Sequence, residues 1–431
     1  MKIYCVNYKI YERQKTMSVV GLITEYNPFH KGHEYHIEKA KELTGASGAL
    51  VVMSGNYVQR GTPAFLDKYS RTTIALNHGA DLVFELPLPF SCSSAEYFAL
   101  SAVTILNKTG IVDFICFGAE TEDLSILEKI AKALIDAKNN EEHSLNILIK
   151  DILKTGVNYA SARSQAICKY FNDSTIENII SMPNNILAIE YLKALLVLDS
   201  KIKPILLKRA NASYHHDEAN DYMYSASSVR NNIENSDTLS ALCKFDKIYK
   251  DNYNKNYPIK ENDFDRILAE KLIYNIHNNV DLSIYSNIDN QLANRIANVF
   301  KESSYRGWND FAMKIKNKNI TYTAICRGLL SILLDSKQVD FNEYLDNDIC
   351  NFVRILGFNI SASPLLNQIK NNCHITTYGQ LSEINNNDAL NKTDLKLINQ
   401  AIYADELYNS VTSLKFNSEI PNEYRRKIII K

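Results

Sequence analysis

Several features of other protein classes are missing from this sequence. It has no apolar run long enough to cross a bilayer, and residues 1–16 lack the apolar core of a secretory signal. The eight cysteines include no C-x-x-C pair, which argues against a zinc ribbon or a disulfide scaffold and fits a reducing cytoplasm. A net charge of -1 gives no direct sign of nucleic-acid binding, although a local basic patch can still bind RNA. The sequence predicts a cytoplasmic protein without a membrane partner.

The composition is that of a globular protein with more than one core. The 431 residues are 45% apolar and 23% charged, and a chain of this length usually divides into two or three domains. We expect residues 1–16 to be an N-terminal extension outside the fold. Residues 17–238 form an α/β domain, and residues 239–431, where Asn, Asp and Lys dominate between apolar helical stripes, form a mainly helical domain without strands.

Short apolar runs in the first half alternate with helical patterns. Strands are predicted at residues 18–24, 49–53, 81–86, 113–117 and 202–207. Strands separated by helices of about ten residues form right-handed βαβ units in a Rossmann-like parallel sheet. The loops that follow the strands then lie along one sheet edge, where ligands of open α/β sheets bind.

One segment at that edge carries the strongest chemical signal: Asn27-Pro-Phe-His-Lys-Gly-His33, between the first strand and the first helix. Gly32 lets the backbone approach a phosphate, and the helix start offers free N–H groups to an anion. His30 and His33 can donate hydrogen bonds to a phosphate that gains charge in the transition state. Two unrelated surface histidines are the alternative, which the strand–turn–glycine–helix context disfavours. A metal site with His36 is also disfavoured, because the side chains diverge and no H-E-x-x-H spacing is present.

A second, weaker motif lies at residues 225–230 (SASSVR). Serines at a helix start are usually N-caps, but Ser227, Ser228 and Arg230 could also grip a triphosphate from its other side. Arg209 follows the last predicted strand and would face the same edge.

At these residues the sequence resembles the HIGH-motif nucleotidyltransferase superfamily, whose fold is the class I synthetase-like α/β domain, and within it the tRNA(Met) cytidine acetate ligase family. The stretches that carry the resemblance are GLITEYNPFHKGHEYH (21–36), VVMSGNYVQRGTPAFLDKYSRTTIAL (51–76), ADLVFELP (80–87), FICFGAE (114–120), MPNNILAIEYLKAL (182–195), LKRANASYHHDE (207–218) and SASSVR (225–230). The resemblance is thinner beyond residue 240, at TYTAICRGLLSILL (321–334) and VRILGFN (353–359).

The resemblance implies a ligase with two reaction steps. Acetate and ATP form acetyl-adenylate, and the acetyl group passes to N4 of the wobble cytidine of elongator tRNA(Met). Mg²⁺ is expected to travel with ATP rather than in a dedicated acidic cage. The second domain is then the expected tRNA-binding part.

The resemblance also implies the nucleotide contacts. The loop that wraps ATP consists of Ile23, Thr24, Glu25, Tyr26, Asn27, Pro28, Phe29, His30, Lys31, Gly32, His33, Glu34, Tyr35 and His36. Gly118 lies beside the adenosine, and Asn184 and Arg209 complete the pocket. Residues 210–212 (ANA) depart from the glycines that are usual in the family, which affects the expected loop shape.

Transfer to cytidine needs an exposed base, and RNA-binding proteins stack such bases on aromatic rings or arginine. The candidate RNA contacts are Arg60, Lys68, Arg71, Arg327, Arg425 and Arg426, with Tyr305, Arg306, Trp308, Arg354 and Lys427 as further members of the patch. Each could instead be a solvated surface residue.

Two other functions fit parts of the sequence. One is an adenylyl- or cytidylyltransferase that acts on a small molecule, which the long helical region disfavours. The other is a non-catalytic RNA-binding factor regulated by ATP, which the intact His30, Gly32, His33 and Arg230 disfavour.

Overall fold

The computed structural model of the protein describes residues 17–157, 159–209, 225–384 and 389–431. The predicted N-terminal extension and the 210–212 loop lie outside the described residues. Within them, no helix is both long and apolar enough to cross a membrane.

Ten strands are present in the described chain. They are β1 (Val19–Thr24), β2 (Gly48–Ser54), β3 (Tyr57–Val58), β4 (Thr62–Pro63), β5 (Leu82–Leu86), β6 (Phe114–Ala119), β7 (Lys203–Lys208), β8 (Phe352–Phe358), β9 (Thr376–Tyr378) and β10 (Ile429–Ile430). All five strands predicted in the first half are confirmed, with ends that shift by one or two residues.

The main sheet has the order β10-β8-β5-β2-β1-β6-β7, and β9 pairs with β8. Strands β5, β2, β1, β6 and β7 run parallel. The chain moves outward from β1 to β2 and β5, then returns to the other side of β1 to form β6 and β7. The strand order therefore reverses between β1 and β6, and their carboxyl ends border the crevice where such sheets bind ligands.

The described chain contains eighteen α-helices. They are α1 (Lys31–Thr44), α2 (Lys68–Asn77), α3 (Ala95–Lys108), α4 (Leu124–Asn139), α5 (Ser144–Leu153), α6 (Tyr159–Phe171), α7 (Thr175–Ile180), α8 (Pro183–Val197), α9 (Ala226–Asn232), α10 (Ser236–Phe245), α11 (Lys247–Asn252), α12 (Asp265–His277), α13 (Asn290–Glu302), α14 (Trp308–Ile315), α15 (Tyr322–Leu333), α16 (Gln338–Asp346), α17 (Ser363–Asn372) and α18 (Lys392–Phe416).

The helices cover both faces of the sheet. Alternate residues of β1 and β2 enter different cores: Val19 and Val52 pack in the core that contains α3 and α8, while Val20 and Val51 pack in the core that contains α1 and α2. A sheet buried on both faces explains why these strands are apolar at nearly every position. A third core lies among α12 to α15 and α18.

The expectation that strands end near residue 240 is wrong. β8 pairs antiparallel with β5, and β9 and β10 pair parallel with β8. The sheet therefore includes strands from both sides of the predicted boundary at residue 238. Residues 239–351 are helical as expected, and the division into two domains stays a prediction.

A buried charge cluster joins α2 to the end of the chain. The ammonium of Lys68 lies 2.8 Å from Glu85 Oε1 and also contacts Asp405 of α18, and Arg354 Nη1 lies 2.7 Å from Glu423 Oε2. All five side chains are 10% exposed or less. Burial raises the pKa of Asp405. Burial also acts on Glu423, but Lys68 and Arg354 outweigh it and lower the pKa of that carboxyl.

Removal of the central cation should destabilise the whole protein. Lys68→Ala leaves three buried carboxylates around a missing charge, and we expect a loss of about 3–5 kcal/mol in the free energy of unfolding. Urea unfolding followed by circular dichroism measures the change. Lys39→Ala, which removes an exposed pair with Glu42, is the matched control and should leave the midpoint unchanged. A Lys68→Ala protein as stable as the wild type would show that the cluster is not structural.

Candidate active site

The loop after β1 is held in one conformation by contacts from distant parts of the chain. Asn27 is 4% exposed, and its Oδ1 accepts a hydrogen bond of 2.7 Å from the amide of Phe65. The guanidinium of Arg230 donates to the Asn27 carbonyl, and the hydroxyl of Tyr249 donates to the Phe29 carbonyl at 2.6 Å. The loop is thus fixed before any ligand binds.

The two motif histidines cap the helix that follows. His30 is the N-cap of α1; its Nδ1 accepts the Gly32 amide at 3.1 Å, and His33 Nδ1 accepts the His30 amide at 3.3 Å. The two rings stack with centroids 3.8 Å apart. A side-chain carbon on Gly32 would lie 2.9 Å from the His30 ring, so glycine makes room for this ring. Because each Nδ1 accepts a backbone N–H, the ring proton is on Nε2, where it can be donated to a ligand.

Burial and nearby positive charge keep these imidazoles neutral. Burial lowers the pKa of His30 to about 4, and Arg209 and Arg230 act in the same direction. Burial, together with the neighbouring histidines and Arg209, lowers the pKa of His33 well below its ordinary value. The pKa of His36 falls to about 4 through burial and Arg209. At neutral pH the site therefore offers N–H donors from the histidines and fixed charge from the arginines.

Arg209 and Gly118 contact each other at the end of β6, near enough to the histidines for Arg209 to lower their pKa values. Gly118 is in β6, and a side-chain carbon there would lie 3.0 Å from Cγ of Arg209. The Arg209 amide donates to the Ala119 carbonyl at 2.8 Å, which keeps the residue beside β6. The predicted pair is brought together, and both border the switch point between β1 and β6.

The two asparagines of Pro183-Asn-Asn have different environments. Asn185 is 1% exposed, and its Oδ1 accepts the amides of Glu120 and Thr121 at 2.8 and 3.1 Å. Asn184, the predicted nucleotide contact, is partly exposed, and its Nδ2 donates to Glu120 Oε1 at 2.5 Å. Asn185 therefore shapes the loop after β6, while Asn184 remains available to a ligand.

The second motif also lies at the nucleotide loop. Ser225 caps α9 through the amide of Ser228 at 3.1 Å. Arg230 Nη2 donates to the Ser227 hydroxyl at 3.2 Å while Nη1 contacts Asn27. Ser227 thus positions Arg230, and a direct contact of Ser227 or Ser228 with phosphate stays a prediction.

The remaining residues of the nucleotide loop differ in their exposure and in their hydrogen bonds. Glu34 Oε1 lies 2.7 Å from His78 Nδ1, and Glu25 Oε1 accepts the Gln59 amide at 2.9 Å. Tyr35 is 41% exposed, and Ile23 and Lys31 are partly exposed. The Nε2 of His36 is buried and has no partner among the described residues, and the buried hydroxyls of Thr24 and Tyr26 lack well-formed hydrogen bonds there. A buried polar atom without a protein partner, such as His36 Nε2, suits a hydrogen bond with a ligand.

Four predicted RNA contacts are wrong, because the side chains are buried. Lys68 and Arg354 belong to the buried charge cluster. Arg71 is 0% exposed and donates to the carbonyls of Leu66, Glu25, Ser54 and Gly55. Trp308 is also 0% exposed and packs in the third core. A sequence reveals the charge of a side chain, but not carboxylate partners more than 300 residues away.

The other predicted RNA contacts keep some exposed surface. They are Arg60, Tyr305, Arg306, Arg327, Arg425, Arg426 and Lys427. Arg60 and Arg327 lie on segments in contact, since Gly61, at φ +78°, would place a side-chain carbon 2.3 Å from the Arg327 amide nitrogen. Neither arginine has a side-chain partner within the described ranges.

Two residues that hold the site in place, Tyr249 and His78, could not be predicted from the sequence. Tyr249 lies in an Asn- and Lys-rich stretch without a motif, although its hydroxyl holds the Phe29 carbonyl. His78 bridges Glu34 and Asp246 at 2.7 and 3.3 Å, and its ring stacks on Phe245 with centroids 4.3 Å apart. These contacts join α1, α2 and α10 and become visible only in the folded chain.

The depressed histidine pKa values predict a pH-dependent stability. Below pH 6.5 the unfolded histidines bind protons that the folded ones do not, down to about pH 4 for His30 and His36, so their contribution is present at pH 7 and is lost as the pH falls. His33→Asn removes one such group, and the difference in unfolding free energy between wild type and variant should shrink by at most about 1.4 kcal/mol per pH unit across this window. Urea titrations at several pH values measure it. A difference that is constant with pH would contradict the prediction.

The chain matches known proteins over most of its length. The model of the HIGH Nucleotidyl Transferase family matches residues 17–423. The tRNA(Met) cytidine acetate ligase of Clostridium novyi is 37% identical over 404 residues, covering 92% of this chain and 97% of that protein. The enzyme of the same name from Halothermothrix orenii is 33% identical over 431 residues, covering 96% of this chain and 99% of that protein.

Solved structures of a related protein have the same fold as this chain. Thermotoga maritima TmcAL bound with alpha-thio ATP superposes with a TM-score of 0.85 and 25% identity, over 96% of this chain and 99% of that chain. Its apo form gives a TM-score of 0.86 over the same shares. The fold predicted from the sequence is confirmed, and this chain belongs to the tRNA(Met) cytidine acetate ligase family of HIGH nucleotidyl transferases.

Proposed function

We propose that this protein uses ATP to join acetate to tRNA(Met), giving N4-acetylcytidine at the wobble position of the elongator tRNA. The family and the ATP-analogue complex of its structural relative support an ATP-dependent ligase. The observation that carries the proposal is the pair of neutral imidazoles at the start of α1, with Arg209 and Arg230 beside them. This arrangement fits a triphosphate at the switch point of the sheet.

The first step is adenylation of acetate. A carboxylate oxygen of acetate attacks the α-phosphorus, the new P–O bond forms, and the bond to the β-phosphate oxygen breaks to release pyrophosphate. His30 and His33 donate Nε2–H bonds to phosphate oxygens that gain charge, and Arg209 and Arg230 supply permanent positive charge. Because their pKa values are depressed, the imidazoles act as hydrogen-bond donors without changing protonation state.

Magnesium enters this scheme as part of the ATP substrate. Among the described residues, no group of three or more His, Cys, Asp or Glu side chains could hold a metal ion. Mg²⁺ bound to ATP would neutralise charge on the leaving pyrophosphate. The chain's own residues bind and orient the phosphates.

The second step moves the acetyl group to RNA. The N4 amine of cytidine attacks the carbonyl carbon of acetyl-adenylate, a C–N bond forms, the C–O bond to AMP breaks, and N4 loses a proton. The cytidine must leave its stack to reach the adenylate. Arg60 and Arg327, on touching segments and without protein partners in the described chain, are suited to hold the phosphates that flank it.

The role of His33 can be tested without disturbing the helix cap. Asparagine at residue 33 can still accept the His30 amide through its side-chain oxygen, but it lacks the Nε2 donor. We expect His33→Asn to reduce acetate-dependent exchange of radiolabelled pyrophosphate into ATP by roughly 100-fold. His143→Asn is the matched control, since His143 caps α5 by the same type of bond, from Leu145 at 3.3 Å, and its exchange rate should equal that of the wild type. Full activity of His33→Asn would overturn the assignment.

The RNA contact can be tested through its salt dependence. Arg60→Ala and Arg327→Ala should each weaken binding of tRNA(Met) and lower the slope of log affinity against log salt by about 0.7–0.9, the value for one lost phosphate contact. Fluorescence anisotropy of labelled tRNA measures both. Arg266→Ala, an exposed arginine of α12, is the control for a general loss of charge. Equal slopes for all three variants would remove Arg60 and Arg327 from the RNA site.

A further inference from the structure

A cavity lies beside α11, the helix that also contacts the nucleotide loop. Its volume is about 390 Å³, and its walls come from α2, α11 with the turn after it, α18, and the chain between residues 419 and 429. None of the predicted nucleotide contacts lines it. The volume falls within the range of small-ligand pockets.

One wall of this cavity is a stacked cation and ring. The guanidinium of Arg426 lies 4.5 Å from the ring centroid of Tyr69, and the Tyr69 hydroxyl donates to Glu423 Oε2 at 2.7 Å, which fixes the ring. The Nε of Arg426 is buried and has no hydrogen-bond partner in the described ranges, and its guanidinium forms no ion pair there. A planar cation in a cavity, held on one side by an aromatic ring, is a stacking platform for another planar group.

Other residues that line the cavity offer hydrogen-bond acceptors. The amide nitrogens of Asn256 and Asn409 already donate, to Asn252 Oδ1 at 2.7 Å and to Glu423 Oε1 at 3.4 Å. Their side-chain oxygens have no donor among the described residues, and Glu419 adds an exposed carboxylate. Acceptors of this kind fit a ligand that presents N–H groups on its edge.

Exposed basic and aromatic side chains flank the lining residue Arg426 in the chain, and we call them the basic rim. Tyr424 is 63% exposed, and Arg425 and Lys427 are exposed beside it. A flat cation, an acceptor-lined edge and a basic rim are together the features by which proteins bind an unstacked RNA base and its phosphate.

We propose that this cavity binds one flipped-out base of the tRNA, a base with an exocyclic amino group, at a site separate from the reacting cytidine. The inference rests on the proposed function, since it names a second contact with the same RNA. The base stacks on Arg426, its amino group donates to Asn256, Asn409 or Glu419, and its phosphate meets the basic rim. Uracil, which lacks the amino group, fits poorly.

One helix connects the cavity to the nucleotide loop. Ile248 and Asn252 of α11 line it, while Tyr249 of the same helix donates to the Phe29 carbonyl in the nucleotide loop. A base in the cavity therefore contacts the helix that holds this loop, which would place the tRNA relative to the adenylate.

Three variants test the cavity. Thr73→Tyr fills the cavity from α2. Arg426→Ala removes the guanidinium on which the base would stack, and Arg426→Lys keeps the positive charge but removes the planar group. We expect each to weaken binding of tRNA(Met) by fivefold or more, measured by fluorescence anisotropy, while acetate-dependent pyrophosphate exchange stays at the wild-type rate. Leu414→Tyr, on an 85% exposed position of α18 outside the cavity, is the matched control.

The binding data distinguish a base pocket from a site that supplies only positive charge. If Arg426→Lys binds tRNA like the wild type, Arg426 serves only as a charge and the base pocket is refuted. If Thr73→Tyr binds like the wild type, nothing from the tRNA enters the cavity. The hexanucleotides of adenosine and uridine, neither of which is the reacting base, give an independent measurement: the adenosine oligomer should bind more tightly to the wild type, and this preference should disappear in Thr73→Tyr. Equal binding of both oligomers to the wild type would refute the amino-group contact.

The pyrophosphate-exchange measurement separates a failure of the proposed function from a failure of the second base site. Absence of acetate-dependent exchange in the wild-type protein would refute the acetate ligase, whatever the cavity variants do. Normal exchange with unaffected tRNA binding in the cavity variants would refute only the second base site.

Discussion

The start of α1 is the constraint on which the site depends. A helix N-terminus has backbone N–H groups without partners, and here two imidazoles accept one each instead of the usual serine or aspartate. The capping bonds fix which nitrogen carries the proton, and burial removes the charge. A single local arrangement therefore sets ring position, tautomer and protonation state, three properties that a phosphate-binding histidine needs.

The rest of the fold holds that arrangement from outside. Arg230 and Tyr249 bind consecutive parts of the loop through its carbonyls, and Phe65 binds Asn27. Each of these residues comes from a different element, so the loop conformation is determined by the assembled protein rather than by its own sequence. Preorganisation of this kind lets the donors act without reorganising when charge develops.

The sequence predicted the parts of the protein whose signal is local. Apolar β-branched runs identified the five parallel strands, and the histidine–glycine motif identified the edge where they end. The predictions failed where the role of a residue depends on a contact from a distant part of the chain. Lys68 and Arg71 looked like RNA contacts because charge is visible in a sequence and burial is not. The strands β9 and β10 have only three and two residues, and β8 follows a long helical stretch, so only pairing with β5 shows that they extend the sheet. The nucleotide contacts themselves remain predictions whose geometry is consistent with the fold.

The buried charge cluster also constrains the order in which the protein can be assembled. Lys68 is synthesised more than 300 residues before Asp405 and Glu423, the carboxylates that surround it with Glu85. Until those residues emerge from the ribosome, the α/β half carries an ammonium group whose native environment is incomplete. Contacts this far apart in the chain slow folding, because a long loop must close before they form. The α/β half is therefore expected to reach its final packing late in synthesis, and a fragment that ends near residue 238 would keep Glu85 but lack the other two carboxylates that surround Lys68.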